Sequence, residues 1–216
     1  MNSLTLCRAV DLGSKDLTKF ILEQGADINL ADSYDRTPLL VATENGDREM
    51  VQLLLGKGAE INRPNHHGAT ALTIAVRFRL RELVQLLLVE GSEVNSQDCN
   101  GDTPLSIATS SGELELVQLL VKEGANFSVP DSWRQGPLRC AKVKGGLELV
   151  ARLIHEGMCV NLRGERGETP LHYASNDGHL TFAKLLLDEG ADPATTDIMG
   201  RTPLFFAARA GHPVVV

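Results

Sequence analysis

The stretch DCNGDTPLSIATSSGELELVQLLVKEGANFSVP, Asp98 to Pro130, decides the fold. Thr103 stands where a side-chain oxygen accepts from an N–H of a first helical turn. Pro104 follows at the first helical position, where a missing N–H costs nothing. Leu105 and Ala108 form a short apolar stripe at helical spacing. Gly112 ends that helix, because without a Cβ it enters the left-handed region easily. A second helix carries Leu116, Val117, Leu119 and Leu120 on its buried side, and Gly124 ends it in turn. The rest of the unit, Asp98 and Gly101 included, is polar and turn-rich, which suits a β-hairpin loop.

The unit recurs along the chain. Pro38, Ala71, Pro104, Pro137, Pro170 and Pro203 stand 33 residues apart. Each is followed by Leu (Leu39, Leu72, Leu105, Leu138, Leu171, Leu204) and, three residues on, by Ala (Ala42, Ala75, Ala108, Ala141, Ala174, Ala207). Leu6 and Ala9 hold the same phase one period earlier. A column of Gly keeps step at Gly25, Gly58, Gly91, Gly124, Gly157 and Gly190. One helix–turn–helix–loop unit cannot bury its apolar face alone, whereas stacked copies can. The expected fold is therefore an all-α solenoid of stacked helix-turn-helix units joined by β-hairpin loops. It is read as one domain over 1–216: a partial unit at 1–31, full units at 32–64, 65–97, 98–130, 131–163 and 164–196, and a shortened unit at 197–216.

This pattern resembles the ankyrin-repeat family, whose unit runs D-x-x-G-x-T-P-L-H-x-A, then two helices, then L-L-x-x-G-A-D-x-N. The nearest match is GERGETPLHYASNDGHLTFAKLLLDEGADP, Gly164 to Pro193, and the resemblance spans the whole chain. It implies that short first helices and hairpin tips line a concave groove, with second helices behind. It implies that His172, the T-P-L-H histidine, is a structural hydrogen-bonding residue. The column Asn29, Asn62, Asn95 and Asn161 resembles the position that asparaginyl hydroxylases modify in such repeats; a structural turn Asn is the other reading.

Composition excludes several classes. Net charge is −7 and no Lys/Arg run exists to follow a phosphate backbone, which disfavours nucleic acid. The opening MNSLTLCRAV fits the helix of a capping unit rather than a secretory signal, and the apolar runs are too short to span a bilayer. Cys7, Cys99, Cys140 and Cys159 lie far apart with no C-x-x-C pair, as free thiols in a cytoplasmic or nuclear compartment do. The sequon at Asn126 carries little weight without a signal peptide. There is no phosphate-binding loop with a Lys, no G-x-S-x-G and no H-E-x-x-H; His155-Glu156 is followed by Cys159 where a second His would stand. The adjacent His66 and His67 are expected to diverge, and zinc needs three or four ligands. Glu90, Glu123, Glu156 and Glu189 recur at one place and read as a solvated face. The chain is read as a non-enzyme with no cofactor and no metal.

The framework columns are set by packing, so partner recognition belongs to the columns the repeat leaves free. These are the second, third and fifth residues of each unit and the two before the Gly that ends helix one. The third-residue column reads Tyr34, His67, Asn100, Trp133, Arg166, Met199. The only Trp stands there in a chain that is 4% aromatic. Trp, Tyr and Arg are the commonest interface hot spots. The candidate partner-binding residues are Tyr34, Arg36, His66, His67, Arg77, Phe78, Asn100, Asp102, Trp133, Gln135, Lys144, Arg166 and Met199. Tyr34, His67, Phe78 and Trp133 are expected to form an apolar ridge flanked by Arg36, Arg77 and Arg166, suited to a partner with apolar anchors and some acidic residues.

Two units depart from the pattern. The second has Ala71 for Pro and Arg79 for the helix-ending Gly; the fourth has Gly136 for Thr, Arg134 for the loop Gly and Arg152 for a Leu. Both are expected to be the least regular. At the last unit, Gly211-His212-Pro213-Val214-Val215-Val216 stops where a second helix should begin, leaving Leu204, Phe205 and Phe206 partly uncovered. That suggests a piece of a longer protein, or an end that docks on a partner or on another copy of itself. The function expected is an adaptor, scaffold or substrate receptor that binds another protein. The alternative is the regulatory region of a larger enzyme whose catalytic domain lies outside this chain.

Overall fold

In a computed structural model of the chain, the structure describes residues 3–126, 154, 160–161, 163 and 166–213. Eleven helices have defined ends among these residues, and the described residues contain no strand. They are α1 (Ser3–Asp11), α2 (Lys15–Glu23), α3 (Pro38–Glu44), α4 (Arg48–Gly56), α5 (Ala71–Arg77), α6 (Arg81–Val89), α7 (Pro104–Ser110), α8 (Leu114–Lys122), α9 (Pro170–Asn176), α10 (Leu180–Asp188) and α11 (Pro203–Ala210). The chain forms two compact units, Met1–Ala108 with Glu113–Asn126, and Thr109–Gly112 with Phe127–Val216.

None of these helices exceeds nine residues. Isolated helices shorter than about 12–15 residues are marginal in water, so packing must hold them. In the first compact unit α1 packs on α2 and α3, α3 on α4 and α5, and α5 on α6. In the second, α9 packs on α10 and α11. The framework columns are the seam: Leu39, Leu72, Leu105 and Leu171 are buried, as are Ala42, Ala75, Ala108 and Ala174.

The helix starts follow from the Thr column. The hydroxyls of Thr37, Thr70, Thr103 and Thr202 accept from the N–H of Leu40, Thr73, Ser106 and Phe205 at 3.1–3.3 Å. Thr70 caps α5 although Ala71 replaces Pro, and α5 is as long as α3 and α7. The irregularity expected of the second unit is therefore absent. Its departure is absorbed at one residue: Arg79 takes φ +60°, the left-handed conformation that Gly46 and Gly112 take in the flanking units. The fourth unit, 131–163, lies almost wholly outside the described residues, and the irregularity expected there with it.

The Asn column joins consecutive repeats. The amide oxygens of Asn29, Asn62, Asn95 and Asn161 accept the N–H of Glu60, Glu93, Asn126 and Asp192 at 2.7–2.9 Å. Each donor lies two residues past the Gly that ends the following second helix. These Asn have structural work in the fold.

Candidate functional site

Four hairpin tips are built by one residue, the Asp or Asn that opens the unit. The N–H of Asp32, Asn65, Asp98 and Asp197 donates to the carbonyl of Arg36, Ala69, Asp102 and Arg201 at 2.9–3.1 Å. The opening residue's carbonyl accepts from the fourth residue, which is Asp35, Gly68, Gly101 or Gly200 and has φ between +58° and +78°. A turn closed by a left-handed residue is the geometry of a three-residue hairpin loop, here without flanking strands. The side-chain oxygen of the same Asp or Asn also accepts two N–H groups, from the third and fifth residues. These are Tyr34 and Arg36, His67 and Ala69, Asn100 and Asp102, Met199 and Arg201. Tyr34, His67, Asn100 and Met199 thus sit on equivalent backbone, and all four are exposed, as is Arg166. Tyr34 is 70% and Met199 72% accessible.

Two of the expected flanking cations, Arg36 and Arg77, are engaged by carboxylates of this chain. Arg36 donates to Asp32 through Nε (3.0 Å) and Nη2 (2.8 Å), and to Glu44 through Nη1 (3.0 Å). Its guanidinium lies 5.2 Å from the Tyr34 ring centre, so it braces that ring rather than waiting for a partner's carboxylate. Arg77 donates to the buried Asp98 carboxylate at 3.0 Å. Burial disfavours the charged form of Asp32, but hydrogen bonds from the Arg36 guanidinium and from the N–H groups of Arg36 and Tyr34 outweigh it. Its pKa lies below the ordinary 3.8.

His66 and His67 do not diverge: their ring centres are 3.8 Å apart and tilted by 47°. His66 Nδ1 lies 3.9 Å from Asp35 Oδ2. Among the described residues no three His, Cys, Asp or Glu side chains gather as a metal site would need. Phe78, 56% accessible, follows the last residue of α5. Trp133, Gln135 and Lys144 lie outside the described residues, as do His155, Glu156, Cys140 and Cys159.

His172 is fully committed. Its Nδ1 accepts from the Thr169 N–H (3.0 Å), which leaves the proton on Nε2, and Nε2 donates to the Arg201 carbonyl (3.0 Å). It is 1% accessible. Cys7 is buried, and that burial, with the nearby Asp32 charge, pushes its thiol up to about 11. It is an inert neutral thiol near pH 7.

Sequence reasoning passed over the opening Asp/Asn column, which positions four of the tips. Its signal was present as Asp32, Asn65, Asp98 and Asp197 in register. It also passed over Asp35, which lines up with Gly68, Gly101, Gly167 and Gly200.

A family model described as ankyrin repeats (3 copies) matches residues 6–98, 72–164 and 138–216. None of the curated proteins compared matches the chain. Among solved structures, the ankyrin repeat domain of Bcl-3, described as a unique member of the IkappaB protein family, superposes with a TM-score of 0.86. It is 27% identical, covering 98% of this chain and 97% of that one. An ankyrin repeat domain from Acinetobacter baumannii AYE superposes with a TM-score of 0.81 at 27% identity, covering 88% of this chain and all (100%) of that one.

Proposed function

The chain belongs to the ankyrin-repeat family, and on that premise we propose that it is a non-catalytic module that binds a partner protein through its hairpin tips and the adjoining ends of its first helices. Ankyrin repeats are generally protein–protein interaction modules, and domains built of them are typically non-catalytic. The observation that carries the reading is the third-residue column. Four tips share one hydrogen-bonded turn and present unlike side chains, Tyr34, His67, Asn100 and Met199, to solvent. A fold that fixes the backbone and frees the side chain is a rigid frame for variable recognition.

The partner that suits these tips offers apolar or aromatic anchors. Arg36 and Arg77 are engaged by carboxylates of this chain, which weakens the case for an acidic segment. Trp133 and Arg166 extend the same column in sequence. An adaptor, scaffold or substrate-receptor role in the cytoplasm or nucleus fits such a module. No helix among the described residues is long and apolar enough to cross a membrane.

Affinity capture from the native host, with wild type and a Tyr34→Ala/His67→Ala double variant as bait, tests the reading. Proteins held by the wild type should be depleted at least about tenfold on the variant, since each hot spot is worth about 2 kcal/mol or more. Equal recovery on both baits sinks it. A second observation favours association at α11. Leu204 is 52% and Phe205 46% accessible, where the matching Leu39 and Leu40 are each 1% accessible. Sedimentation at several concentrations, with wild type and Phe205→Ser, tests whether that face joins two copies.

A further inference from the structure

Consecutive hairpins in this fold meet through a main-chain rung. The Cys99 N–H donates to the His67 carbonyl at 2.8 Å, and the Ile198 N–H donates to the Arg166 carbonyl at 2.9 Å. In both cases the second residue of one hairpin reaches the third residue of the hairpin before it. The equivalent groups at the first junction are the His66 N–H and the Tyr34 carbonyl, and no hydrogen bond joins them.

The physical cause is one atom. A Cβ on Gly68 would stand 2.8 Å from the Cys99 nitrogen and 2.9 Å from the Asp98 Cα; on Gly167 it would stand 3.2 Å from the Ile198 nitrogen. A closed junction therefore leaves no ready room for a Cβ at the fourth hairpin position, least of all at Gly68. The first junction has Asp35 there, at φ +58°, and Asp35 carries such a Cβ. Asp35 thus props the first hairpin away from the second. The Tyr34 carbonyl and the His66 N–H are left without the rung that joins the later hairpins.

We infer that this propped junction is the point where a partner's extended main chain docks, supplying the rung that Asp35 prevents the two hairpins from making. One N–H of the segment donates to the Tyr34 carbonyl, and one of its carbonyls accepts from the His66 N–H. This is strand addition at a single rung, with main-chain bonds giving affinity and side chains giving choice. The inference rests on the reading of the hairpin tips as a protein-binding surface and names what that surface takes.

The surroundings define the segment. Tyr34 and the paired imidazoles of His66 and His67 offer aromatic faces on either side of the two unjoined groups. On the α1 side of the first hairpin, lined by α1 and by Tyr34, lies a recess of about 200 Å³, enough for one side chain of a segment that crosses Tyr34. Its charges balance, Arg8 and Arg36 against Asp11 and Asp32, so an uncharged side chain suits it. Asp35, next to His66, opposes an acidic residue at the rung. The occupant is an extended segment with an apolar or aromatic residue beside an uncharged one.

The test uses short random peptides displayed on phage, selected on the wild-type chain and then synthesised. Asp35→Gly should close the junction, which slower exchange of the His66 amide hydrogen would report. It should also weaken the selected peptides by about tenfold, the worth of one or two hydrogen bonds. N-methylation at a single peptide position should cause a similar loss, because that position carries the donated hydrogen. If His66 exchange is unchanged, Asp35 is not the prop and the inference falls. If peptides bind Asp35→Gly as tightly as wild type but lose affinity to Arg166→Ala or Met199→Ala, the junction is overturned while the hairpin-tip reading stands. If no selected peptide responds to any tip substitution, both fall.

Discussion

The first and second hairpin junctions are built from the same turn, yet only the second is closed by a main-chain rung. Both hairpins are opened by a residue whose side chain accepts two N–H groups, Asp32 in one and Asn65 in the other. Both present an aromatic ring at the third position. The fourth position separates them: Gly68 lets the next hairpin approach to hydrogen-bonding distance, and Asp35 does not. Two constraints act on that position. Its φ lies in the left-handed region, which strains any residue with a Cβ, and the neighbouring hairpin leaves no room for one. Asp35 meets the first at reduced cost, because Asp tolerates left-handed backbone. The second is escaped by keeping the next hairpin at a distance.

The sharpest way to break this comparison is Gly68→Ala. It imposes both constraints at once, left-handed strain of about 1–2 kcal/mol and a contact of 2.8 Å with backbone that cannot rotate away. Stability should fall by about 2 kcal/mol or more, measured by urea unfolding. A loss under half of that would mean the second junction opens as readily as the first.

Asp32→Ala comes next. It removes the acceptor for two backbone N–H groups and leaves Arg36 with Glu44 alone. The expected loss is about 2 kcal/mol near pH 7. Since the folded-state pKa of Asp32 is depressed below 3.8, its contribution is fully present above that value and fades as pH falls through the folded value. The gap between wild type and Asp32→Ala should therefore narrow in acid below about pH 4. A gap that fails to narrow as the folded carboxylate is protonated in acid would refute this account of the first hairpin.

Arg79→Gly isolates strain from crowding and should have the smallest effect. Arg79 holds φ +60° at the end of a first helix, with an exposed Arg79–Glu113 pair at 3.1 Å. Relief of about 1–2 kcal/mol is set against the extra backbone freedom of Gly, about 0.5–1 kcal/mol, and a surface ion pair worth little. The net gain expected is about 0.5 kcal/mol by the same unfolding measurement. A loss of more than about 1 kcal/mol would show that the Arg79–Glu113 pair, not the backbone, decides this position.

Much of the frame was legible because it repeats. Thr37, Thr70, Thr103 and Thr202 cap helices for a reason internal to one turn, and a 33-residue period makes each unit a test of the others. The candidate tip residues were legible for the opposite reason: their columns vary. Two features were less visible. Arg79 reads as a broken helix end, yet the helix keeps its length because Arg79 itself takes the left-handed conformation. Arg36 reads as a cation available to a partner, yet Asp32 and Glu44 hold it.

The sequence by itself determined the repeat, its phase, the helix starts and the columns free for recognition. All of these rest on interactions between residues a few positions apart, or on identity across a fixed interval. Only the tertiary structure decided which hairpins join. That depends on how close one backbone comes to another some thirty residues away, and on whether a single Cβ at Asp35 or its absence at Gly68 stands between them.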